Sequence, residues 1–291
     1  GVHIADVSRY VTKGSPLDEE AFSRGTSLYY ANRVVPMLPE ALSNGICSLN
    51  PKEDRLAFSA LLTVSADGKL IDFDFQKSVI CSRVKGVYSE INQILAQTAP
   101  PDIIEKYTGL TDTLFQMEQL ADILTENRKK RGAPEIDTTE SKIIIGEDGS
   151  VSDVKPRERG KSERIIEEFM LLANEAAAAL GRKLELPFVY RVHEPPSPEK
   201  VESLQEILRL LGLPVPNFQT EVQPGQLAAV LANAKGTRYD ALINTYVLRS
   251  MAKAKYSEQP LGHFGLVLQD YAHFTSPIRR YPDLAIHRIL S

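Results

Sequence analysis

The sequence predicts a single mixed α and β domain of the α+β class over residues 1–291. Three observations carry that expectation. Strand-like and helix-like runs intermix along the chain, with no long flexible linker, internal repeat or low-complexity segment between them. Asp67-Gly68, a strong hairpin dipeptide, lies between two stretches rich in β-branched and aromatic residues. From Ile165 to Leu180 the chain is apolar on nearly every side of a helix, the pattern of a helix buried in a core.

Taken in order, "GVHIADVSRYV" reads as a buried strand, and "GSPLDEEAFSRG" as a turn into a short helix capped by Ser15 with Pro16 at its first position. "RVVPMLPEALSNGICSLNPKEDRL" reads as an ordered loop with short helical turns, because Pro, Asn and Gly recur in it. "AFSALLTVSADGKLIDFDFQKSVICSRV" supplies two or more strands around Asp67-Gly68, and "IIIGEDGSVSDV" a second hairpin around Gly146 to Gly149. Tyr88 to Arg131 is helical apart from a break at "APPDI". In "SPEKVESLQEILRLLGL", Ser197 caps, Pro198 starts and Gly212 ends an amphipathic helix with Val201, Leu204, Leu208 and Leu211 on one face.

Composition bounds the function. The chain is 43% hydrophobic and 25% charged, ordinary for a globular protein. Its longest apolar helix carries Glu167, Glu168, Asn174 and Glu175 and does not qualify as a membrane span. The formal charge of −4 gives no global footprint for nucleic acid, which leaves room for a local basic channel. Cys47 and Cys81 are too few for a disulfide framework or a zinc motif and read as buried thiols in a reducing compartment, with a bacterial cytoplasm as the default location. The opening without Met suggests a piece of something longer.

Several chemistries fit poorly. The five histidines show no metal-ligand spacing, Ser276 lacks a nucleophile elbow, and neither a Walker A loop nor a dinucleotide fingerprint is present. Others stay open. At 3.6 residues per turn Glu167, Leu171, Asn174 and Ala178 share a face of the buried helix, which suits either a structural Glu–Arg pair or a polar strip facing a ligand channel. "KPRERGKSER", with five Lys/Arg, reads as a solvated face or as a phosphate-tracking rim. Tyr88, after Arg83 and Lys85, reads as a core residue or as a stacking platform for a base. "AHFTSPIRRYPDL" sets two arginines after a proline turn, flanked by His273, Phe274, Tyr281 and Asp283. Guanidinium groups take multidentate anions such as phosphate, though an Arg–Asp pair pinning a turn is the plainer reading.

"HIADVSRYV", "PMLPEALSNGICSLNPKEDRL", "IIEEFMLLAN" and "GHFGLVLQDYAHFTSPIRRYPDL", in this order, resemble the catalytic domain of the ribonuclease II and ribonuclease R exoribonucleases, the RNB domain. The wording is closer to ribonuclease R, and the resemblance spans the chain.

It implies a sheet or partly closed barrel wrapped by helices around an RNA channel. It also implies Mg²⁺-dependent, processive 3′-to-5′ hydrolysis of single-stranded RNA to nucleoside 5′-monophosphates. By the same resemblance Arg279 contacts the phosphate near the scissile bond, Tyr88 stacks on a terminal base and Glu167 contacts the terminal nucleotide. Arg280 and Tyr281 join the RNA-binding set, Arg280 with a structural pairing to Asp283 as its other reading.

Two departures stand out. Ile136 occupies the position of the family's second stacking aromatic. The family's Mg²⁺-binding aspartate cluster lies upstream of "HIADVS" and has no counterpart here, Asp6 being the one acid near that edge. Flanking OB-fold RNA-binding domains are expected in the parent, and this chain alone is expected to be a poor exoribonuclease. The alternative is a non-catalytic RNA-binding protein that retains the fold.

Overall fold

The structure, a computed structural model, describes residues 1–136, 141–146, 149–156, 159–218 and 222–291, with the side chain of Lys142 excepted. Arg157 of the basic run, and Glu147 and Asp148 of the second hairpin's turn, lie outside the described residues.

Strand β1 (Val2–Ala5) leads to α1 (Pro16–Arg24), where Ser15 Oγ accepts a hydrogen bond from Asp18 N–H at 3.2 Å and Pro16 sits first. A short hairpin, β2 (Leu28–Tyr29) and β3 (Val34–Val35), precedes a single π-helical segment, Ala41–Ile46, inside the expected loop. Long strands β4 (Asp54–Val64) and β5 (Leu70–Cys81) then pair antiparallel, turning at Gly68 with φ 79°, a left-handed value that glycine adopts without a Cβ clash. The sheet order is β1-β4-β5, with Ile4 opposite Phe58.

Next come α2 (Tyr88–Leu95), α3 (Pro101–Lys106) after the proline break, and α4 (Thr111–Lys130). The hairpin β6 (Ser141–Ile145) and β7 (Val151–Pro156) leads into α5 (Lys161–Lys183), which packs on β1 and β4. Beyond it lie β8 (Tyr190–Val192), α6 (Pro198–Leu210), α7 (Pro224–Ala234), α8 (Asp240–Ser250), β9 (Lys255–Ser257) and α9 (Tyr281–Ile289).

The chain divides into two compact units. One comprises Gly1–Leu124, Ser141–Val189 and Ala272–Ser291, the other Thr125–Glu140 and Tyr190–Tyr271. The first centres on the β1-β4-β5 sheet, α5 and α9. In the second, Val201, Leu204 and Leu208 of α6 pack with Leu227, Val230, Ile243 and Val247 of α7 and α8, as the amphipathic pattern of α6 requires.

The expected mixture of helix and sheet is present, in its open-sheet form. Among the described residues no sheet has more than three strands and none closes into a barrel.

Two expectations need correction. The carboxylate that α5 buries is Glu168, 4% exposed, whereas Glu167 is exposed. The reason is periodicity. Glu168 falls on the stripe of Ile165 and Leu172, while Glu167 shares the solvent face of Lys161 and Arg164, and only the later turns of α5 are buried nearly all round. Of the two thiols, Cys47 is buried and its pKa is pushed up to about 11 by burial. Cys81 is exposed, as the last residue of β5, the edge strand of its sheet.

Candidate functional site

Helix α5 acts as a rail for two segments carrying predicted site residues. At its start, Asn92 of α2 accepts a hydrogen bond from Ser162 N–H at 2.9 Å through Oδ1 and donates to Glu163 Oε2 at 3.1 Å through Nδ2. Ser162 Oγ lies 3.1 Å from the Tyr88 carbonyl and 3.0 Å from Glu163 Oε2, and its one proton is shared between these two acceptors. Gly160 is required here, because a Cβ on it would lie 2.0 Å from Asn92 Nδ2. Burial works to raise the Glu163 carboxyl, but donors from Asn92, Ser162 and Gly160 outweigh it and hold it below its ordinary value. Tyr88 is therefore pinned by its backbone while its side chain is 45% exposed. The core reading of Tyr88 does not hold. Glu167 stands five residues after Ser162 on the same helix, also in solvent.

Twelve residues after Ser162, about 18 Å along the helix, Asn174 Oδ1 accepts the Phe274 N–H at 2.8 Å. That bond starts a heavily clamped turn. Asp283 is fully buried, and its Oδ1 accepts from Ser276 N–H at 2.7 Å. The Arg280 guanidinium engages both Asp283 oxygens, Nε at 2.8 Å and Nη2 at 2.7 Å. His287, also fully buried, donates from Nε2 to the Phe274 carbonyl at 2.8 Å.

Arg279 sits between these anchors. Its N–H donates to the Ser276 carbonyl at 3.2 Å, and its own carbonyl accepts from Ser27 N–H and Thr26 Oγ1, both at 3.0 Å. Its side chain is exposed, and its guanidinium has no hydrogen bond or ion pair among the described residues. The two adjacent arginines thus have opposite fates: Arg280 is locked in a bidentate pair, and Arg279 presents a free fork on a fixed backbone.

Tyr281 is committed to structure. Its hydroxyl donates to Asp18 Oδ1 at 2.8 Å and accepts from Arg288 Nη1 at 3.2 Å, and its ring meets Phe22 edge-on at 5.1 Å. Arg288 also pairs with Asp18 at 2.8 Å. Burial works to raise the Asp18 carboxyl, yet the Gly14 N–H, Tyr281 and Arg288 hold it below its ordinary value. Ile136 packs against the apolar cluster of the second unit, as an aliphatic side chain does, and residues 137–140 beyond it lie outside the described residues. In the basic run, Lys155 pairs with Asp153 at 3.2 Å and Lys161 with Glu118, while Arg159 and Arg164 are exposed.

Asp6 does not fit a Mg²⁺ ligand here. It is 6% exposed, and its Oδ1 accepts from Lys77 Nζ at 2.7 Å and Ser8 Oγ at 2.6 Å. Burial favours a raised pKa, but Lys77 and Ser8 outweigh it and the carboxyl lies below its ordinary value. An ammonium on the same oxygen competes directly with a cation. Among the described residues no group of three His, Cys, Asp or Glu side chains is placed to hold a metal ion.

Asn92, Asp18 and His287 escaped the sequence reading. A signal existed for His287: it lies four residues after Asp283, on the same face of α9. Asn92 acts through partners distant in the chain, as Asp18 does through Tyr281 and Arg288, and those long-range pairings left no local trace.

The chain matches the RNB domain over residues 1–291. Ribonuclease R of Thermotoga maritima is 45% identical over 291 residues, covering 100% of this chain and 40% of the relative. Ribonuclease R 1 of Lactococcus lactis is 44% identical over 290 residues, covering 100% of this chain and 35% of the relative. Mycoplasma genitalium RNase R, solved with ribose-methylated single-stranded RNA, superposes with a TM-score of 0.93 at 34% identity, covering 99% of this chain and 45% of that one. The chain therefore spans less than half the length of each of these three proteins. The resemblance read from its motifs, including the lean toward ribonuclease R, is borne out: the chain belongs to the RNB domain family.

Proposed function

We propose that the full-length protein carrying this chain is a 3′-to-5′ exoribonuclease that hydrolyses single-stranded RNA processively to nucleoside 5′-monophosphates. The observation that carries the reading is Arg279, an exposed guanidinium with no hydrogen bond or ion pair among the described residues, on a turn whose backbone is held on both sides. A preorganised fork of this kind is suited to two phosphate oxygens and to the charge that develops on phosphorus as the bond breaks. Tyr88 offers its exposed ring to a terminal base, and Glu167 accepts from hydroxyl or amino groups of the terminal nucleotide. Arg280 and Tyr281 support the turn rather than the RNA, because Asp283 and Asp18 occupy their polar atoms.

Mg²⁺ belongs to this proposal through the family. The described acids do not form its site, so no step is assigned to it. Flanking OB-fold domains and a cytoplasmic location complete the reading. No helix among the described residues is long and apolar enough to cross a membrane.

The test is a time course on 5′-labelled single-stranded RNA with the full-length gene product, with Mg²⁺ and with chelator. A Mg²⁺-dependent ladder shrinking from the 3′ end is expected. Arg279→Ala should cut turnover by roughly 100-fold or more while RNA affinity changes by less than about fivefold. RNA binding without any ladder would instead make the protein a non-catalytic RNA binder. Normal turnover with a large loss of affinity would remove Arg279 from the chemistry.

A further inference from the structure

We propose that His287, which touches no exposed surface, is a positioning residue for Arg279, acting through the Phe274 peptide; the inference rests on the exoribonuclease reading. A fully buried imidazole must be neutral and bonded to be tolerated. Its Nε2 lies 2.8 Å from the Phe274 carbonyl, which only accepts, so the proton sits on Nε2. Nδ1 is then a bare acceptor, and it is buried with no hydrogen-bond partner among the described residues. A side chain needed only to fill this space would be a Leu or a Phe, with no orphaned atom. The chain keeps a penalised nitrogen and gains one directional donor.

That donor is aimed at the functional turn. Phe274 is gripped on both sides of its backbone, its N–H by Asn174 of α5 at 2.8 Å and its carbonyl by His287 of α9. The imidazole also stacks on the Phe274 ring, with centroids 4.4 Å apart and planes at 29°, and meets Phe58 edge-on at 5.1 Å. One turn earlier on the same face of α9, Asp283 holds Ser276 N–H at 2.7 Å. Ser276 in turn accepts from Arg279 N–H at 3.2 Å. Helix α9 therefore clamps the segment twice, through residues four apart: Asp283 holds Ser276, whose carbonyl takes the Arg279 N–H, and His287 holds Phe274, two residues before Ser276. Without the His287 donor, a buried carbonyl is left unsatisfied and the cheapest relief is a shift of the turn. Arg279 would move with it.

Two substitutions separate the donor from the ring. His287→Phe keeps the volume and the stack but has no N–H. His287→Gln loses the stack but can place an amide N–H near the Nε2 position. Both are made in the full-length gene product, alone and combined with Arg279→Ala, and rates on single-stranded RNA with Mg²⁺ are normalised to folded protein by circular dichroism.

His287→Phe should lower kcat roughly 10- to 100-fold with KM for RNA within about threefold. His287→Gln should recover most of that loss. In the Arg279→Ala background His287→Phe should add nothing, because its effect passes through a group already removed. Wild-type turnover in His287→Phe, equal losses in the Phe and Gln variants, or a full multiplicative loss on top of Arg279→Ala would each overturn the inference. If His287→Phe does not fold, His287→Asn, whose amide is too short to reach the Phe274 carbonyl, takes its place with the same expectations. Normal turnover in Arg279→Ala alone would remove the exoribonuclease reading and this inference with it. An impaired Arg279→Ala beside a normal His287→Phe removes the inference only.

Discussion

The two compact units are held together by different physics. The first buries Asp6, Asp18, Glu168, Asn174, Asp283 and His287, and several of these join segments far apart in sequence. Asp18 reaches Tyr281, Asn174 reaches Phe274 and Asp6 reaches Lys77. The second unit is built on apolar side chains of α6, α7 and α8. Its buried Asn244 and Ser250 bond back onto their own helix, to Asp240 and Val247, while His193 ties distant backbone, accepting from Gly265 N–H at Nδ1 and donating to the Ala252 carbonyl. Apolar packing holds elements together but tolerates small slides, whereas hydrogen bonds fix direction. The unit that carries Arg279, Tyr88 and Glu167 is the one that spends buried polar groups on direction.

The sharpest way to break this contrast is Asp283→Ala. It leaves Arg280 unpaired and the Ser276 N–H without an acceptor, and should destabilise the protein by about 3–5 kcal/mol, read from the denaturant midpoint. A loss below about 1 kcal/mol would mean that the turn is held by packing after all.

Acid should act next. Burial brings the His287 imidazole to about 4, below its ordinary 6.5. The unfolded chain therefore takes up this proton first as pH falls. Its contribution to stability is whole above about pH 6.5, shrinks from there to about pH 4, and amounts to something on the order of 3 kcal/mol. His287→Phe should flatten part of the melting-temperature loss across that window. A residual slope belongs to the other histidines that burial lowers, His263 in the second unit, to about 4, together with His193 and His3. An unchanged pH profile in His287→Phe would show that His287 does not titrate this way.

In the second unit, Ile243→Val at a fully buried position should cost about 0.5–1.5 kcal/mol and leave turnover per folded molecule unaltered. A turnover defect there would show that the second unit also positions the chemistry. Smallest in stability is Tyr88→Ala, expected within about 0.5 kcal/mol because the ring is exposed. Its RNA affinity should nonetheless weaken by about 1–3 kcal/mol, measured by filter binding. Unchanged affinity would leave the ring without a role in RNA binding.

The sequence by itself determined whatever rests on local periodicity and turn chemistry. The cap at Ser15, the hairpin at Asp67-Gly68, the amphipathic α6 ending before Gly212 and the core character of α5 were all legible, because each depends on residues within a few turns of one another. The motif order also marked the RNB family and pointed to Arg279. What tertiary structure decided was which neighbouring side chain faces which way. It buried Glu168 and exposed Glu167, locked Arg280 and freed Arg279, and gave Tyr281 to Asp18. Such choices are set by partners brought in from elsewhere in the chain, as when Asp18 meets Tyr281 across 263 residues. A pattern of 3.6 residues places a side chain on a face but carries no information about what that face will meet.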